Sequence, residues 1–342
     1  MSHLTYAEAV VVGLVQGVTE LFPVSSLGHS VLIPALVGGS WAQDLNVSRP
    51  ESPYLAFIVG LHVATAAAMI IYFRRDWARI VAGFFSSLRY RTIVTADQKL
   101  AWMIVLATIP VGVCGLALEH LFRVVFSKPI PTALFLAVNG VILLAGERAR
   151  RRSGAHVAAS QAAMTEPAAR QRAMSTASYP PQPPDGYPAE PVPGLRRQPT
   201  RHPAARPETA ADERLAAMGY ANAVVIGAVQ VLALLPGISR DGTVTVTGMF
   251  RGLSREDAVR YSFLLSAPVI LAAGVLKIPD LFGPLGAGIH GQVLVGSLLS
   301  GVAAYVSVRF LVRYFSRARS LTPFAIYCLA AGLGSLAWFA IR

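Results

Sequence analysis

Six long apolar segments constrain this chain more than any other feature of its sequence. A helix needs about 20 apolar residues to cross the hydrocarbon core of a bilayer, and each segment meets or approaches that length. Hydrophobic residues make up 54% of the 342 residues and charged residues 14%, against roughly 25% charged in an ordinary soluble chain. The sequence therefore predicts an all-α polytopic membrane protein. The segments are Tyr54–Phe73, Leu100–Leu118, Pro131–Gly146, Tyr261–Ile278, Val293–Val312 and Phe324–Ile341.

The positive charge of the chain is placed between apolar segments rather than on one polar surface. Lys and Arg number 30 against 18 acidic residues, which gives a formal net charge of +12. Nucleic-acid-binding proteins cluster such charge on a surface, so no nucleic-acid partner is expected. Basic residues flanking membrane spans mark the cytoplasmic side. The arginines after Tyr54–Phe73 and after Pro131–Gly146 therefore predict cytoplasmic ends for both segments of a multi-pass membrane protein.

A stretch rich in Ala, Pro and Arg separates two apolar halves. Residues 147–215 contain almost no large apolar side chains, so they cannot bury enough surface to offset the entropy of the chain. The sequence predicts a membrane half at 1–146, a disordered cytoplasmic linker at 147–215, and a second membrane half at 216–342. A basic soluble domain is the alternative for the middle segment.

The two halves carry related sequences in opposite predicted orientations. The segments Val11–Ser30 and Val225–Val244 align without a gap, and Pro or Gly interrupts the apolar pattern in both. Inverted repeats with broken helices place binding sites near the midplane, where the halves meet. We therefore expect an inverted-repeat helical bundle with two broken, re-entrant hairpins meeting near the midplane. The alignment pairs Gly13 with Gly227, Gln16 with Gln230, Ser25 with Ser239 and Gly28 with Gly242.

The first break follows a carboxylate inside an apolar segment. Gln16 and Glu20 are four residues apart and share one helical face, and Ser25, Ser26 and His29 follow within ten residues of Glu20. An ionisable side chain in a membrane helix is costly unless it is paired or hydrated, which favours a functional site. A protonated glutamic acid bonded to a neighbouring helix is the alternative.

The second break carries a guanidinium among small polar residues. Arg240 offers a planar set of donors suited to phosphate oxygens, and a helix start adds free backbone N–H groups. No Walker loop occurs in the sequence. The break therefore predicts phosphate binding, with a snorkelling arginine as the alternative. The other residues of this motif are Ser239, Asp241, Gly242, Thr243 and Thr245.

The two motifs resemble those of the undecaprenyl-diphosphatase family, also called bacitracin-resistance proteins. The family pattern is (E/Q)-G-x-T-E-x-x-P-V-S-S-x-G-H in the first half and P-G-x-S-R-S-G-x-T in the second. The similarity covers the chain outside residues 147–215. It implies hydrolysis of a C55 polyprenyl diphosphate to the monophosphate and inorganic phosphate, which recycles the lipid carrier of cell-wall synthesis. It also implies a divalent cation (Mg²⁺ or Ca²⁺), a homodimer in membrane lipid, and an active site facing the outer (periplasmic) side of the cytoplasmic (inner) membrane.

The resemblance also implies roles for the motif residues. Arg240 and the small polar residues would hold the diphosphate, and Glu20 would bind the cation. Ser26 is the candidate nucleophile with His29 as its proton shuttle, and a metal-bound water is the alternative nucleophile. The predicted catalytic residues are Glu20, Ser26, His29 and Arg240. The predicted substrate-binding residues are Gln16, Ser25, Ser239, Gly242, Thr243 and Thr245.

This chain departs from the family pattern at four positions: Gln16, Leu27, Asp241 and Val244. Gln16 stands where many members have Glu, and Asp241 replaces the second serine of S-R-S-G. Because aspartate is an oxygen ligand for divalent cations, we hypothesise that Asp241 is a second metal ligand and compensates for Gln16. A divergent paralogue of low activity is one alternative. A transporter or flippase for polyprenyl phosphate is another, and a non-catalytic scaffold is a third. His62 and Asn139 are expected to make interhelical hydrogen bonds.

Overall fold

The computed structural model describes residues 4–46, 53–121, 126–152, 207–283, 286–317 and 319–341. All regular secondary structure in these ranges is helical. In chain order the helices are α1 Tyr6–Thr19, α2 Ser26–Val37, α3 Gly39–Asp44, α4 Pro53–Tyr72, α5 Arg74–Tyr90, α6 Ala96–Leu121 and α7 Pro129–Arg152, then α8 Pro207–Ala217, α9 Tyr220–Ala228, α10 Arg240–Phe250, α11 Arg255–Phe282, α12 His290–Ser316 and α13 Thr322–Ile341.

Six of these helices coincide with the six predicted spans. Helices α4, α6, α7, α11, α12 and α13 are each long and apolar enough to cross a membrane. Helix α11 begins before the predicted Tyr261, because Ser254 caps it by accepting a hydrogen bond from the N–H of Asp257. The first turns of α11 are therefore helical although their residues are polar. The prediction of an all-α polytopic membrane protein is confirmed.

The predicted breaks in the two related segments are present. The first lies between α1 and α2, and the second separates α10 from a 3₁₀ helix, Val229–Leu234, that continues α9. Each second helix begins at a serine whose side chain accepts a hydrogen bond from a glycine N–H three residues on. These pairs are Ser25 with Gly28 (3.2 Å) and Ser239 with Gly242 (3.1 Å). The serine and glycine matches in the repeat therefore correspond to the same capping hydrogen bond, although φ is 69° at Ser25 and −88° at Ser239.

Helices from the two halves cross each other at small residues. Gly13 of α1 lies against the backbone of Gly296 in α12, and Gly227 of α9 lies against the backbone of Ala107 in α6. Helices α12 and α6 are the second long spans of their halves. Each half therefore packs the helix before its break on the second long span of the other half. Gly13 and Gly227 are matched in the repeat because both crossings leave no room for a side chain.

The structure differs from the predicted linker at both of its ends. Helix α7 continues to Arg152, and Glu147 within it is buried against Arg255, which donates to both carboxylate oxygens at 2.6 Å. Helix α8 begins at Pro207, and its Asp212 is buried between Arg79 and Arg260. Buried ion pairs order these segments despite their polar composition. The predicted linker residues 153–206 lie outside the described residues.

Replacing Gly227 by alanine should destabilise the protein, because a methyl group there would overlap the backbone of Ala107. Overpacking of this kind costs about 1–3 kcal/mol. Gly112→Ala in α6 is the matched control, since a methyl group there meets nothing within 4 Å. Thermal unfolding in detergent measures both. Equal midpoints for the two variants would contradict the close crossing of α9 and α6.

Candidate functional site

The two helix breaks contact each other directly. The backbone N–H of Gly237 donates to the Ser25 hydroxyl at 3.0 Å. The side chain of Asn139 in α7 joins both breaks, since its Nδ2 donates to the Pro23 carbonyl and its Oδ1 accepts from the Ser239 N–H, each at 3.0 Å. Gly237 has a φ of 110°, a conformation that favours glycine. The breaks of the two halves thus form one polar junction.

Glu20 is the centre of a cluster that draws on both halves. Its Oε1 accepts from the Arg240 guanidinium at 2.9 Å. Its Oε2 accepts from the Ser26 hydroxyl at 2.5 Å and from Gln16 Nε2 at 2.7 Å. The ring nitrogen Nε2 of His62 lies 3.5 Å from the same oxygen. Glu20 and Arg240 are separated by 220 residues in the chain, so the structure brings the acid and the guanidinium of the two motifs together.

A cavity of about 180 Å³ adjoins this cluster. Its polar lining combines residues from both breaks, and its apolar lining comes from α6, α11, the 3₁₀ helix and the breaks themselves. A larger cavity of about 450 Å³ lies where α4 meets α5, and none of the motif residues line it. The smaller cavity is therefore the candidate active site. Its polar lining residues are Glu20, Ser25, Ser26, His62, Gln230, Ser239 and Arg240.

His29 is not among the residues that line the cavity. Its Nδ1 is 2.7 Å from the Ser25 carbonyl oxygen, and its Nε2 is 2.6 Å from the Tyr327 hydroxyl of α13. The imidazole and phenol rings are also nearly parallel. Both ring nitrogens therefore have partners in this arrangement, and neither partner is the Ser26 hydroxyl. The structure does not bring His29 to the candidate nucleophile.

Several residues of the second motif serve the start of α10. Ser239 caps the helix, Gly242 donates to that cap, and the Thr243 hydroxyl bonds the carbonyls of Ser239 and Arg240 at 3.0 Å each. Thr245 is buried within the same helix. Gly242, Thr243 and Thr245 are not among the residues lining the cavity. Their predicted substrate-binding roles stay predictions, and their observed contacts fix the helix that carries Arg240.

Asp241 is directed towards α11. Its Oδ1 accepts from the hydroxyls of Ser262 at 2.6 Å and Ser266 at 2.5 Å, and it lies 3.9 Å from Arg240 Nε. It is buried and does not line the cavity. Within the described ranges, no group of three or more His, Cys, Asp or Glu side chains is placed to hold a metal ion. The predicted metal-ligand role of Asp241 stays a prediction.

Three polar residues belong to the site although the motifs do not contain them. Asn139 and His62 were expected only to bond neighbouring helices; these bonds exist, and they connect to the junction and to the Glu20 cluster. Gln230 lines the cavity. Single polar side chains in apolar helices were the available signal for His62 and Asn139, and the repeat alignment was the signal for Gln230.

Comparison with known proteins agrees with the motif resemblance. The family model described as bacitracin resistance protein BacA matches residues 9–171 and 200–334. An undecaprenyl-diphosphatase of Mycolicibacterium paratuberculosis is 59% identical over 341 residues, covering 100% of this chain and 99% of the relative. The undecaprenyl-diphosphatase 2 of Frankia alni is 54% identical, with 100% of both chains covered. An undecaprenyl-diphosphatase of Granulibacter bethesdensis is 36% identical, covering 97% of this chain and 96% of the relative.

Proposed function

This chain belongs to the bacitracin resistance (undecaprenyl-diphosphatase) family, and we propose that its Glu20 cluster hydrolyses undecaprenyl diphosphate to the monophosphate and inorganic phosphate. The observation that carries the proposal is the 2.9 Å contact between Glu20 of the first half and Arg240 of the second, beside a cavity. Such a site combines an anion-binding guanidinium with an acid and a hydroxyl. Hydrolysis of this lipid recycles the carrier of cell-wall synthesis.

Arg240 is suited to hold the terminal phosphate. Its guanidinium bonds Glu20 through one nitrogen, and its buried Nε has no hydrogen-bond partner in the described part of the chain. Phosphoryl transfer depends mostly on positioning and on neutralising the charge of the phosphate oxygens. A diphosphate entering the cavity would accept hydrogen bonds from Arg240 and Ser239, which both line it. Glu20 would then be released from part of its ion pair and become a stronger base.

Ser26 is the proposed nucleophile, and Glu20 is its base in place of the predicted His29. The Ser26 hydroxyl already donates to Glu20 Oε2 at 2.5 Å, whereas His29 bonds Ser25 and Tyr327. Oγ attacks the terminal phosphorus, its proton moves to Glu20, and the bridging P–O bond breaks to release undecaprenyl monophosphate. Water then cleaves the phosphoserine to give inorganic phosphate, and the serine regains a proton. His29 instead positions the backbone of the break through Ser25.

A divalent cation fits this site only if the substrate supplies most of its ligands. Glu20 is the carboxylate in the cavity lining, and Mg²⁺ is commonly held by one or two carboxylates together with substrate phosphates and water. When bound, the cation would neutralise charge on the phosphate oxygens. Glu20 would hold it, with Asp241 as the further ligand we hypothesised. In that role the Asp241 carboxylate would turn away from Ser262 and Ser266 of α11.

We place the cavity on the outer side of the cytoplasmic membrane. The arginines at the start of α5 are expected on the cytoplasmic side, which would put the larger cavity, lined by Arg74 and Arg75, on that side too. The apolar lining of the smaller cavity, which includes Val111, Val269 and Ala273, lets the polyprenyl tail extend into lipid while the head group reaches Arg240. The homodimer remains part of this proposal and rests on the family resemblance.

Removing the guanidinium should abolish phosphate release. Arg240→Ala is expected to lower turnover of undecaprenyl diphosphate about 100- to 1,000-fold, since it removes a preorganised positive group. The measurement is inorganic phosphate released by purified protein, with and without EDTA. Arg251→Ala at the end of α10 is the matched control, because Arg251 is exposed and bonds Asn222. Comparable rates for the two variants would reject the proposed role of Arg240, and transbilayer movement without phosphate release by wild type would favour a transporter.

A phosphoserine should form at Ser26. Acid-quenched wild type incubated with substrate labelled in its terminal phosphate is expected to retain label on Ser26. Ser26→Ala should lose the label and about 100-fold or more of the turnover. Ser316→Ala is the control, because Ser316 lies outside the cavity and bonds the Arg313 carbonyl. Substantial turnover by Ser26→Ala would instead support direct attack by water.

A further inference from the structure

Gln230 is a buried residue of the cavity wall, and only one of its two polar side-chain atoms forms a hydrogen bond. It is 1% exposed, and its Nε2 donates to the Gly227 carbonyl at 3.1 Å. Its Oε1 is buried and has no hydrogen-bond partner in the described part of the chain. A carboxamide has two N–H donors as well as its oxygen, so one N–H and the oxygen remain available. Buried polar atoms without partners are unusual and call for an explanation.

The repeat gives this amide a counterpart that bonds a carboxylate. Gln230 aligns with Gln16, whose Nε2 donates to Glu20 four residues later, while its Oε1 is likewise buried without a partner in the described residues. Four residues after Gln230 stands Leu234, whose side chain cannot accept a hydrogen bond from Nε2. Both glutamines belong to the elements that precede the breaks. The wall formed by the second half therefore presents an amide with no carboxylate of its own.

We propose that Gln230 binds the diphosphate head group directly, as a substrate-binding residue outside the two motifs. This inference rests on the proposed function and names a further residue of that site. The free N–H is suited to donate to a phosphate oxygen, and Oε1 can accept from a hydroxyl or water on the same head group. Arg240 and Gln230 both line the cavity, so the second half would contribute a charged and a neutral donor to one ligand.

A purely structural role for Gln230 would have a different signature. The Gly227 carbonyl also accepts from the Val229 N–H, so removal of the glutamine amide leaves that carbonyl with a partner. Replacing the side chain by leucine removes a buried oxygen without a partner and keeps a similar volume. Loss of substrate binding without loss of stability is therefore expected for a ligand-binding residue.

The experiment compares Gln230→Leu with Gln292→Leu. Gln292 is the matched control, because it also donates its amide to a backbone carbonyl, that of Leu4, but does not line the cavity. For undecaprenyl diphosphate in detergent we expect Gln230→Leu to raise KM about tenfold or more, the worth of a hydrogen bond to a charged group. We expect kcat within about threefold of wild type, as for uniform binding of substrate and transition state.

Two further readouts separate head-group binding from other effects. The inhibition constant for inorganic diphosphate should rise by the same factor as KM, because this probe has no tail, and the thermal midpoint should not fall. An unchanged KM or an unchanged inhibition constant would overturn the inference, as would an equal effect of Gln292→Leu. If Gln230→Leu does not fold, Gln230→Met supplies the same test. Failure of the proposed function is recognised separately, since wild type would then release no phosphate.

Discussion

The contact between the two helix breaks is the interaction on which the rest of the site depends. Backbone groups freed where a membrane helix ends must find partners inside the protein, because lipid offers none. Here Ser25 accepts from Gly237, and Asn139 joins the Pro23 carbonyl to the Ser239 N–H. These bonds fix the starts of α2 and α10 next to each other. A polar cavity can therefore exist among apolar helices.

The two related halves share the capping hydrogen bond at this junction but differ in backbone and in side chains, since φ is 69° at Ser25 and −88° at Ser239. The capping serines and the close-crossing glycines occur in both halves. Position 20 is an acid, whereas its counterpart is Leu234, and Arg240 stands where the first half has Ser26. The acid and hydroxyl thus come from one half and the guanidinium from the other. This difference gives an approximately symmetric scaffold the asymmetry that a phosphoryl-transfer site requires.

The sequence predicted the spans, both breaks and the meeting of Glu20 with Arg240, because each rests on a local pattern or on the repeat. It could not predict which way side chains turn at a break. In the structure His29 bonds Tyr327, a residue of the last helix, and Asp241 bonds two serines of α11. Helix α8 was also missed, since its order comes from the distant ion pairs of Asp212 with Arg79 and Arg260. Partners far apart in the chain decided each of these differences.

A double-mutant cycle on Glu20 and Arg240 tests the central claim that one residue from each half shares a single buried site. The single variants Glu20→Gln and Arg240→Gln should each lower the free energy of unfolding by about 3–5 kcal/mol, because each leaves a buried charge unpaired. The double variant should lose less than the sum, with an interaction energy of at least about 1 kcal/mol. The control cycle of Glu20→Gln with Arg251→Gln should be additive within about 0.5 kcal/mol. Additivity of Glu20 with Arg240 would contradict the account.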